Sequence, residues 1–373
     1  MAKNIAKSII NDLLQTAEIS INGSQPWDIQ VHNEQFYQHI LNQGSLGLGE
    51  SYIDAWWDCA ALDILFARIL RANVQNHIKT NKWLALKIAL AKIMNVQNKK
   101  QAFHVGKTHY DLGNDLFTSM LDSRMNYTCG YWKNAKTLDE AQLAKLELVC
   151  QKLKLEPGMR LLDIGCGWGA LAKYAATKYQ ANVVGVTVSR NQLEYATQNC
   201  AGLPVEIRYQ DYRDITGTFD RVVSLGMFEH VGHLNYRHYM QIVSNCLKDE
   251  GIFLLHTIGS NKTVFRADEW ITKYIFSTGM LPSIAQIGET SEDFFIMEDW
   301  QNFGIYYDNT LMAWQQNFTR HWDTLKSHYD ERFYRMWNYY LLSCAGNFRA
   351  RAMQVWQIVF SKGGVNEAYQ ASR

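Results

Sequence analysis

From residue 137 onward, short apolar runs alternate with helical stretches. The runs MRLLDIG, NVVGVTV, VEIRYQD, DRVVSLG and GIFLLHTI read as strands. Amphipathic segments separate most of them. Ahead of the first run, TLDEAQLAKLELVCQKL reads as a helix opened by a capping box, Thr137 with Glu140 three residues on. Strands alternating with helices predict an α/β fold with a doubly wound, mainly parallel, Rossmann-like sheet. Aromatic-rich helices are expected from about 310 to 350, and MQVWQIVFS then reads as a returning strand.

Before residue 100 the pattern differs. PWDIQV suggests a short strand, while EQFYQHIL and the stretch from Ser51 to Leu70 read as helices. NQGSLGLGE reads as a turn-rich loop between them. A smaller helix-rich N-terminal domain, residues 1–100, is therefore expected ahead of a catalytic domain, residues 101–373.

Charge changes the picture of that first domain. From Ile64 to Tyr110 there is no acid, yet Arg68, Arg71, Lys79, Lys82, Lys87, Lys92, Lys99, Lys100 and Lys107 fall there. The whole chain carries only +1, so the remainder sums to −8. Trp83, Leu84, Leu86, Ile88, Leu90, Ile93 and Met94 accompany the lysines. A basic, apolar helix of this kind suits an anionic membrane surface. It also reads as a solvated helix packing on the next domain. The near-neutral total argues against a general nucleic-acid binder.

With 373 residues and 47% hydrophobic content, the chain is long and apolar enough for two packed domains. Aromatics reach 13%, which suits apolar or cationic ligands as well as packing. The seven cysteines form no C-x-x-C pair, so neither a zinc site nor a disulfide framework is expected, and a reduced, cytoplasmic compartment fits. MAKNIAKSIINDLL is amphipathic and contains Asp12, unlike a secretion signal.

The chemistry starts at LLDIGCGWGA. Gly165, Gly167 and Gly169 follow Asp163 at alternate positions, at the end of the first strand. A phosphate loop would continue Gly-Lys-Ser or Gly-Lys-Thr, and a dinucleotide loop would read G-x-G-x-x-G. Neither occurs. Closely spaced glycines bring backbone against a ligand, and an acid at the strand end can bind an ammonium or organise the loop. These features suit S-adenosylmethionine, which has an amino-acid head and an adenosine but no phosphate. The second strand ends in VTVSRNQ rather than an acid, so Thr187, Ser189 and Gln192 are left to meet the ribose. QDYRD offers Asp211 and Tyr212 near the adenine. Ser189 is equally a good helix N-cap.

Polar groups gather at other strand ends: Glu229 and His230 in GMFEHVG, His256 in LLHTIG, Cys129 in NYTCGYW, and Tyr307 in GIYYDNT. The stretches SLGLGESYIDAWW, HYDLGNDLF, YTCGYW, LLDIGCGWG, QDYRD, GMFEHVG, LLHTIG, NTLMAW and CAGNFRAR span almost the whole chain. Through them the chain resembles the cyclopropane and mycolic acid synthase family, in its bacterial branch acting on phospholipid acyl chains.

The resemblance implies a class I S-adenosylmethionine-dependent methyltransferase fold. It implies transfer of a methylene group to the cis double bond of a phospholipid acyl chain, and a bound bicarbonate as general base. By motif position the bicarbonate ligands are Glu229, His256 and Tyr307, with backbone around Cys129 and Ile258. Cys344 recurs in the family's motif and is expected to line the pocket rather than act covalently. The cofactor residues expected are Tyr127, Thr128, Asp163, Gly165, Cys166, Gly167, Gly169, Thr187, Ser189, Gln192, Asp211 and Tyr212. Tyr127, Tyr131, Trp132, Phe228 and Tyr307 are candidates for stabilising a carbocation. A homodimer, lying peripherally at the inner face of the cell membrane, is also implied. The rival readings are a methyltransferase acting on another lipid and a non-catalytic lipid binder that keeps the fold.

Overall fold

A computed structural model describes residues 2–74, 112–365 and 368–373. Most of the basic stretch from Ile64 to Tyr110 therefore lies outside the described residues. The chain packs as two compact units. One comprises Met1–Leu116, Asp268–Ser277 and Phe318–Ala352, and the other Phe117–Ala267, Thr278–Asn317 and Met353–Arg373.

The second unit is built on a seven-stranded sheet. Its strands are β1 (Arg160–Ile164), β2 (Asn182–Thr187), β3 (Val205–Tyr209), β4 (Phe219–Leu225), β5 (Leu247–Ser260), β6 (Ile296–Asn302) and β7 (Met353–Ser361). The order is β3-β2-β1-β4-β5-β7-β6. The first five strands of that order are parallel, and β7 runs antiparallel between β5 and β6. The order reverses at β1, and in open α/β sheets ligands bind outside the carboxyl ends at such a switch point. The fold is thus the doubly wound, mainly parallel, Rossmann-like sheet that the apolar runs predict.

Helices cover both faces, so the inner strands carry apolar residues on both sides. Successive residues serve opposite cores. Leu162, Val184 and Phe253 pack on one face, against the helix Tyr236–Cys246. Leu161, Val183 and Leu254 pack on the other, against the helices Leu138–Lys152 and Ala170–Tyr179. The first of these latter helices begins at the expected capping box. Thr137 Oγ1 accepts from Glu140 N at 3.3 Å, and Glu140 Oε2 accepts from Thr137 N at 3.2 Å. The aromatic C-terminal helices form over Ile305–Arg320, Trp322–Leu325 and Glu331–Arg349.

The first unit is helical, with Ala2–Gln15, Gln35–Gln43, Ser45–Ile53 and Leu62–Arg71. A two-residue ladder pairs Gln30–Val31 with Trp57–Asp58, and it interrupts the stretch expected to be helical from Ser51 to Leu70. NQGSLGLGE is not a loop. The chain turns once, at Gly44 with φ +59°, and then resumes as the helix Ser45–Ile53. The later glycines are there for close approach. A Cβ on Gly47 would meet the carbonyl of His39 at 2.6 Å, and one on Gly49 would meet the Trp270 ring at 2.2 Å. No helix among the described residues is long and apolar enough to cross a membrane.

Candidate functional site

The end of β1 opens onto a cavity of about 520 Å³. Gly165, Gly167 and Gly169 all have positive φ, at +82°, +55° and +83°, which fits the loop to a tight left-handed path. A Cβ on Gly167 would meet nothing within 4 Å. Backbone there stands open to the cavity. Gly169 serves packing instead. Its Cβ would press on Ala196 Cβ at 3.1 Å and Cys200 Sγ at 3.2 Å, so the bare glycine lets two helices close together.

Of the expected cofactor residues, the cavity is lined by Tyr127, Thr128, Asp163, Gly165, Cys166, Gly167, Thr187, Gln192, Asp211 and Tyr212. Gly169 and Ser189 do not line it. Ser189 caps the helix Arg190–Asn199, its hydroxyl accepting from Gln192 N at 3.4 Å. Thr187 Oγ1 donates to Gln192 Oε1 at 2.8 Å, which joins the two side chains at the end of β2. Asp211 is held by Arg213, whose Nε and Nη2 donate at 2.8 and 2.7 Å. That pairing keeps its carboxyl below the usual range.

Asp163 is 2% exposed, and its Oδ2 has no hydrogen-bond partner. Burial pushes its carboxyl up to about 7, against the opposing pull of Lys145. A buried acceptor aimed at a ligand cavity fits a ligand ammonium. Lys145 is not among the residues expected from the motifs. It is fully buried on the helix Leu138–Lys152, lines the cavity, and donates to Asn126 Oδ1 at 2.8 Å and Thr128 Oγ1 at 3.1 Å. Burial lowers its ammonium to about 8. Gln142, one turn earlier, donates to Thr128 O at 2.7 Å. The signal is present as spacing: Leu138, Ala141, Gln142, Lys145, Leu146 and Val149 share one helical stripe, which carries Lys145 into the interior.

None of the expected catalytic residues lines this cavity, and only Glu229 and Cys129 are next in sequence to residues that do, His230 and Thr128. Glu229 sits on the short turn Phe228–His230 after β4. Its Oε1 accepts from the backbone N of Ile258 on β5 at 2.7 Å, and its Oε2 is buried with no partner. Burial raises this carboxyl to about 7, with the Ile258 N–H pulling the other way. His256, on β5, is buried, and burial together with Lys145 and Lys152 lowers it to about 3. The imidazole is therefore neutral. Gln357 Nε2 lies 3.4 Å from its Nδ1, which places the ring proton on Nε2 when the amide donates.

The segments that carry Cys129 and Tyr307 are tied together through Thr310. Thr310 Oγ1 accepts from Gly130 N at 3.1 Å and Trp132 Nε1 at 2.9 Å, tying YTCGYW to the helix that carries Tyr307. Tyr307 meets Trp314 edge-on at 5.8 Å. Phe303, just before that helix, packs its ring 5.6 Å from that of His256. Burial pushes the Cys129 thiol well up, so it is no thiolate. Cys344 belongs to the other unit, on the helix Glu331–Arg349, and burial pushes its thiol up to about 12.

Residues 97–358 match the family described as mycolic acid cyclopropane synthetase. A cyclopropane-fatty-acyl-phospholipid synthase of Escherichia coli is 56% identical over 96% of this chain and 94% of its own. The crystal structure of mycolic acid cyclopropane synthase CmaA1 complexed with SAH and CTAB is 34% identical, with a TM-score of 0.64 over 68% of this chain and 96% of that one. Coclaurine N-methyltransferase, at 23% identity, shares the fold, with a TM-score of 0.67 over 84% of this chain and 99% of that one. By the extent of these matches, the chain belongs to the mycolic acid cyclopropane synthetase family.

Proposed function

We propose that the protein transfers a methylene group from S-adenosylmethionine to the cis double bond of an unsaturated phospholipid acyl chain, giving a cyclopropane ring. The observation that carries this reading is the E. coli phospholipid synthase match, which runs through the first unit as well as the second. The mycolic acid structure covers only 68% of the chain. The cavity supports the cofactor half of the reading. Gly167 leaves room for a ligand against backbone, and Asp163 offers an unpartnered buried acceptor for the methionyl ammonium.

The reaction sets demands that these residues meet. An alkene attacks the sulfonium methyl, the S–CH₃ bond breaks, and S-adenosylhomocysteine leaves. A carbocation remains until the transferred methyl loses a proton and the ring closes. Neutral His256 adds no positive charge near that cation. Buried rings such as Tyr131, Phe228 and Tyr307 can stabilise a cation by about 0.5–2 kcal/mol each and keep water away.

Glu229, His256 and Tyr307, with backbone at Cys129 and Ile258, are the groups proposed to hold a bicarbonate. When bound, that ion supplies a base for the departing proton. The donor chemistry fits a small anion. His256 Nε2–H can donate when Gln357 donates to Nδ1, and Glu229, raised to about 7, can donate in its protonated form. The Ile258 N–H is already given to Glu229, so the carboxyl orients through it.

Contact with an anionic membrane surface, a homodimer, and a place at the inner face of the membrane complete the reading. Activity on anionic vesicles should then fall as salt rises. The deciding experiment incubates vesicles of cis-monounsaturated phospholipid with protein and S-adenosylmethionine. Mass spectrometry should show one added CH₂ per chain, and gas chromatography of the released esters should show a ring in place of the alkene. Mass gained on the head group, with unchanged acyl chains, would make it a different lipid methyltransferase.

A further inference from the structure

Four apolar side chains stand out on the surface of the second unit. Leu234 is 85% exposed, Phe265 63%, Ile284 57% and Val264 40%. They come from the turn after β4, the loop after β5, and the start of the helix Ile284–Ser291. Specific contacts bring these segments together. The Phe265 ring packs on His233, the neighbour of Leu234, at 5.1 Å. His233 Nδ1 lies 3.1 Å from Met280 Sδ. Thr263 and Ser283 share a hydroxyl hydrogen bond of 2.8 Å, so Val264 and Ile284 emerge from joined segments. Ser260 N donates to Pro282 O at 2.8 Å. Single exposed apolar residues are ordinary, but a group assembled from three segments marks an interaction surface.

Its charge narrows the partner. Lys262 and Arg266 bracket Val264 and Phe265, both are exposed, and among the described residues neither enters an ion pair. The turn from His230 to His238 adds Arg237 and three histidines but no acid. Arg237 pairs with Asp293 at 2.9 Å, and the helix Ile284–Ser291 bears its acid, Glu289, five residues past Ile284. Apolar tips set among basic side chains match a lipid surface with anionic head groups, where the tips enter the acyl boundary and the bases meet phosphate. The patch is also continuous with the cavity rim. His230, Val231 and Asn235 line the cavity, Asn235 adjoins Leu234, and Glu229 O accepts from Met280 N at 2.8 Å.

We propose that Leu234, Val264, Phe265 and Ile284, with Lys262 and Arg266, form a docking surface for an anionic phospholipid bilayer at the rim of the reaction site. This rests on the phospholipid reading above and adds to it the contact surface. It places the lipid beside Glu229 rather than only at the basic N-terminal stretch.

The test uses the full chain and flotation with phosphatidylglycerol or phosphatidylcholine vesicles. Leu234→Ser combined with Phe265→Ser should lower partitioning onto phosphatidylglycerol vesicles by about tenfold or more. Lys262→Gln combined with Arg266→Gln should lower it several-fold on phosphatidylglycerol and little on phosphatidylcholine. S-adenosylmethionine affinity should stay within about twofold in both. A solvent-sensitive dye on Leu234→Cys should shift to the blue with phosphatidylglycerol vesicles. Unchanged partitioning in both double variants, or a dye that does not respond, overturns the proposal. So does a lipid-free oligomer that dissociates in the apolar variant while vesicle binding holds, since the patch would then join copies of the chain. Ring formation by the unaltered protein is measured alongside. Its absence would remove the phospholipid reading, and partitioning would still decide the patch.

Discussion

Glu229 Oε1 takes the backbone N–H of Ile258 at 2.7 Å, while its Oε2 is buried without a partner. One carboxyl oxygen thus fixes the group and the other is left without a partner. Glu229→Gln keeps an acceptor for Ile258 but loses the ionisable oxygen. We expect S-adenosylmethionine affinity within about twofold of wild type and ring formation slowed by about 10²–10⁴. Single-turnover assays with a binding measurement separate the two. A rate within threefold of wild type would remove Glu229 from the reaction.

Asp163 carries a pH signature. Its carboxyl stands at about 7 in the folded chain against 3.8 ordinarily, so the folded state holds this proton more tightly. The stability this contributes is full below about pH 4 and is lost as pH rises through about 7. Asp163→Asn imitates the protonated form at every pH. Its Tm should match wild type near pH 4 and exceed it near pH 8, in melts without ligand. Affinity for S-adenosylmethionine should fall at least about tenfold, because the ammonium loses its counter-charge. A Tm difference that does not vary with pH would contradict the burial argument.

Lys145 should matter through the cavity rather than through the fold alone. Lys145→Met removes a buried cation, which relieves desolvation, but leaves Asn126 Oδ1 and Thr128 Oγ1 unpaired. It also removes the positive charge that holds Asp163 down. The expected result is weaker S-adenosylmethionine binding, with the acid limb of the affinity–pH curve moved to higher pH. Calorimetric titrations across pH read that shift. A purely structural lysine would lower Tm and leave the limb in place.

Two glycines in one loop should fail differently. Gly167→Ala puts a methyl into open cavity, at a left-handed backbone cost of about 1–2 kcal/mol. We expect a modest Tm loss and a large loss of ligand affinity. Gly169→Ala adds the clash with Ala196 and Cys200 and should cost more stability. Thermal melts and binding isotherms of the two variants should rank in opposite order.

The strands that position the site were legible because buried parallel strands are apolar on both faces, as in Leu161–Leu162 and Val183–Val184. β6 was not. Ile296–Asn302 is a partly exposed edge strand carrying Glu298 and Asp299, so it lacks that signal. SLGLGES was misleading for a related reason. Glycine marks both turns and close packing, and only the partner, here Trp270, tells which. That Trp270 and the Glu331–Arg349 helix pack with the N-terminal stretch is a tertiary fact that no local pattern carries. Within the site, Gly165, Gly167 and Asp163 were readable from spacing. Ser189 was ambiguous, since a helix cap uses the same residue type, and Gly169 was expected at the cofactor but packs against Ala196 and Cys200. Lys145 was hidden because lysines are almost always found outside.

His256 lies opposite Leu225 on one side and Gln357 on the other, within β5 between β4 and β7. Gln357 follows His256 by 101 positions. On a ribosome adding about 5–20 residues per second, β5 is therefore born roughly 5–20 s before its second neighbour. Through that interval GIFLLHTI presents a bare apolar edge, the kind that recruits wrong strands. The nascent chain should be most prone to aggregate in that interval, and ribosome stalling between β5 and β7 should reduce soluble yield more than stalling before β5.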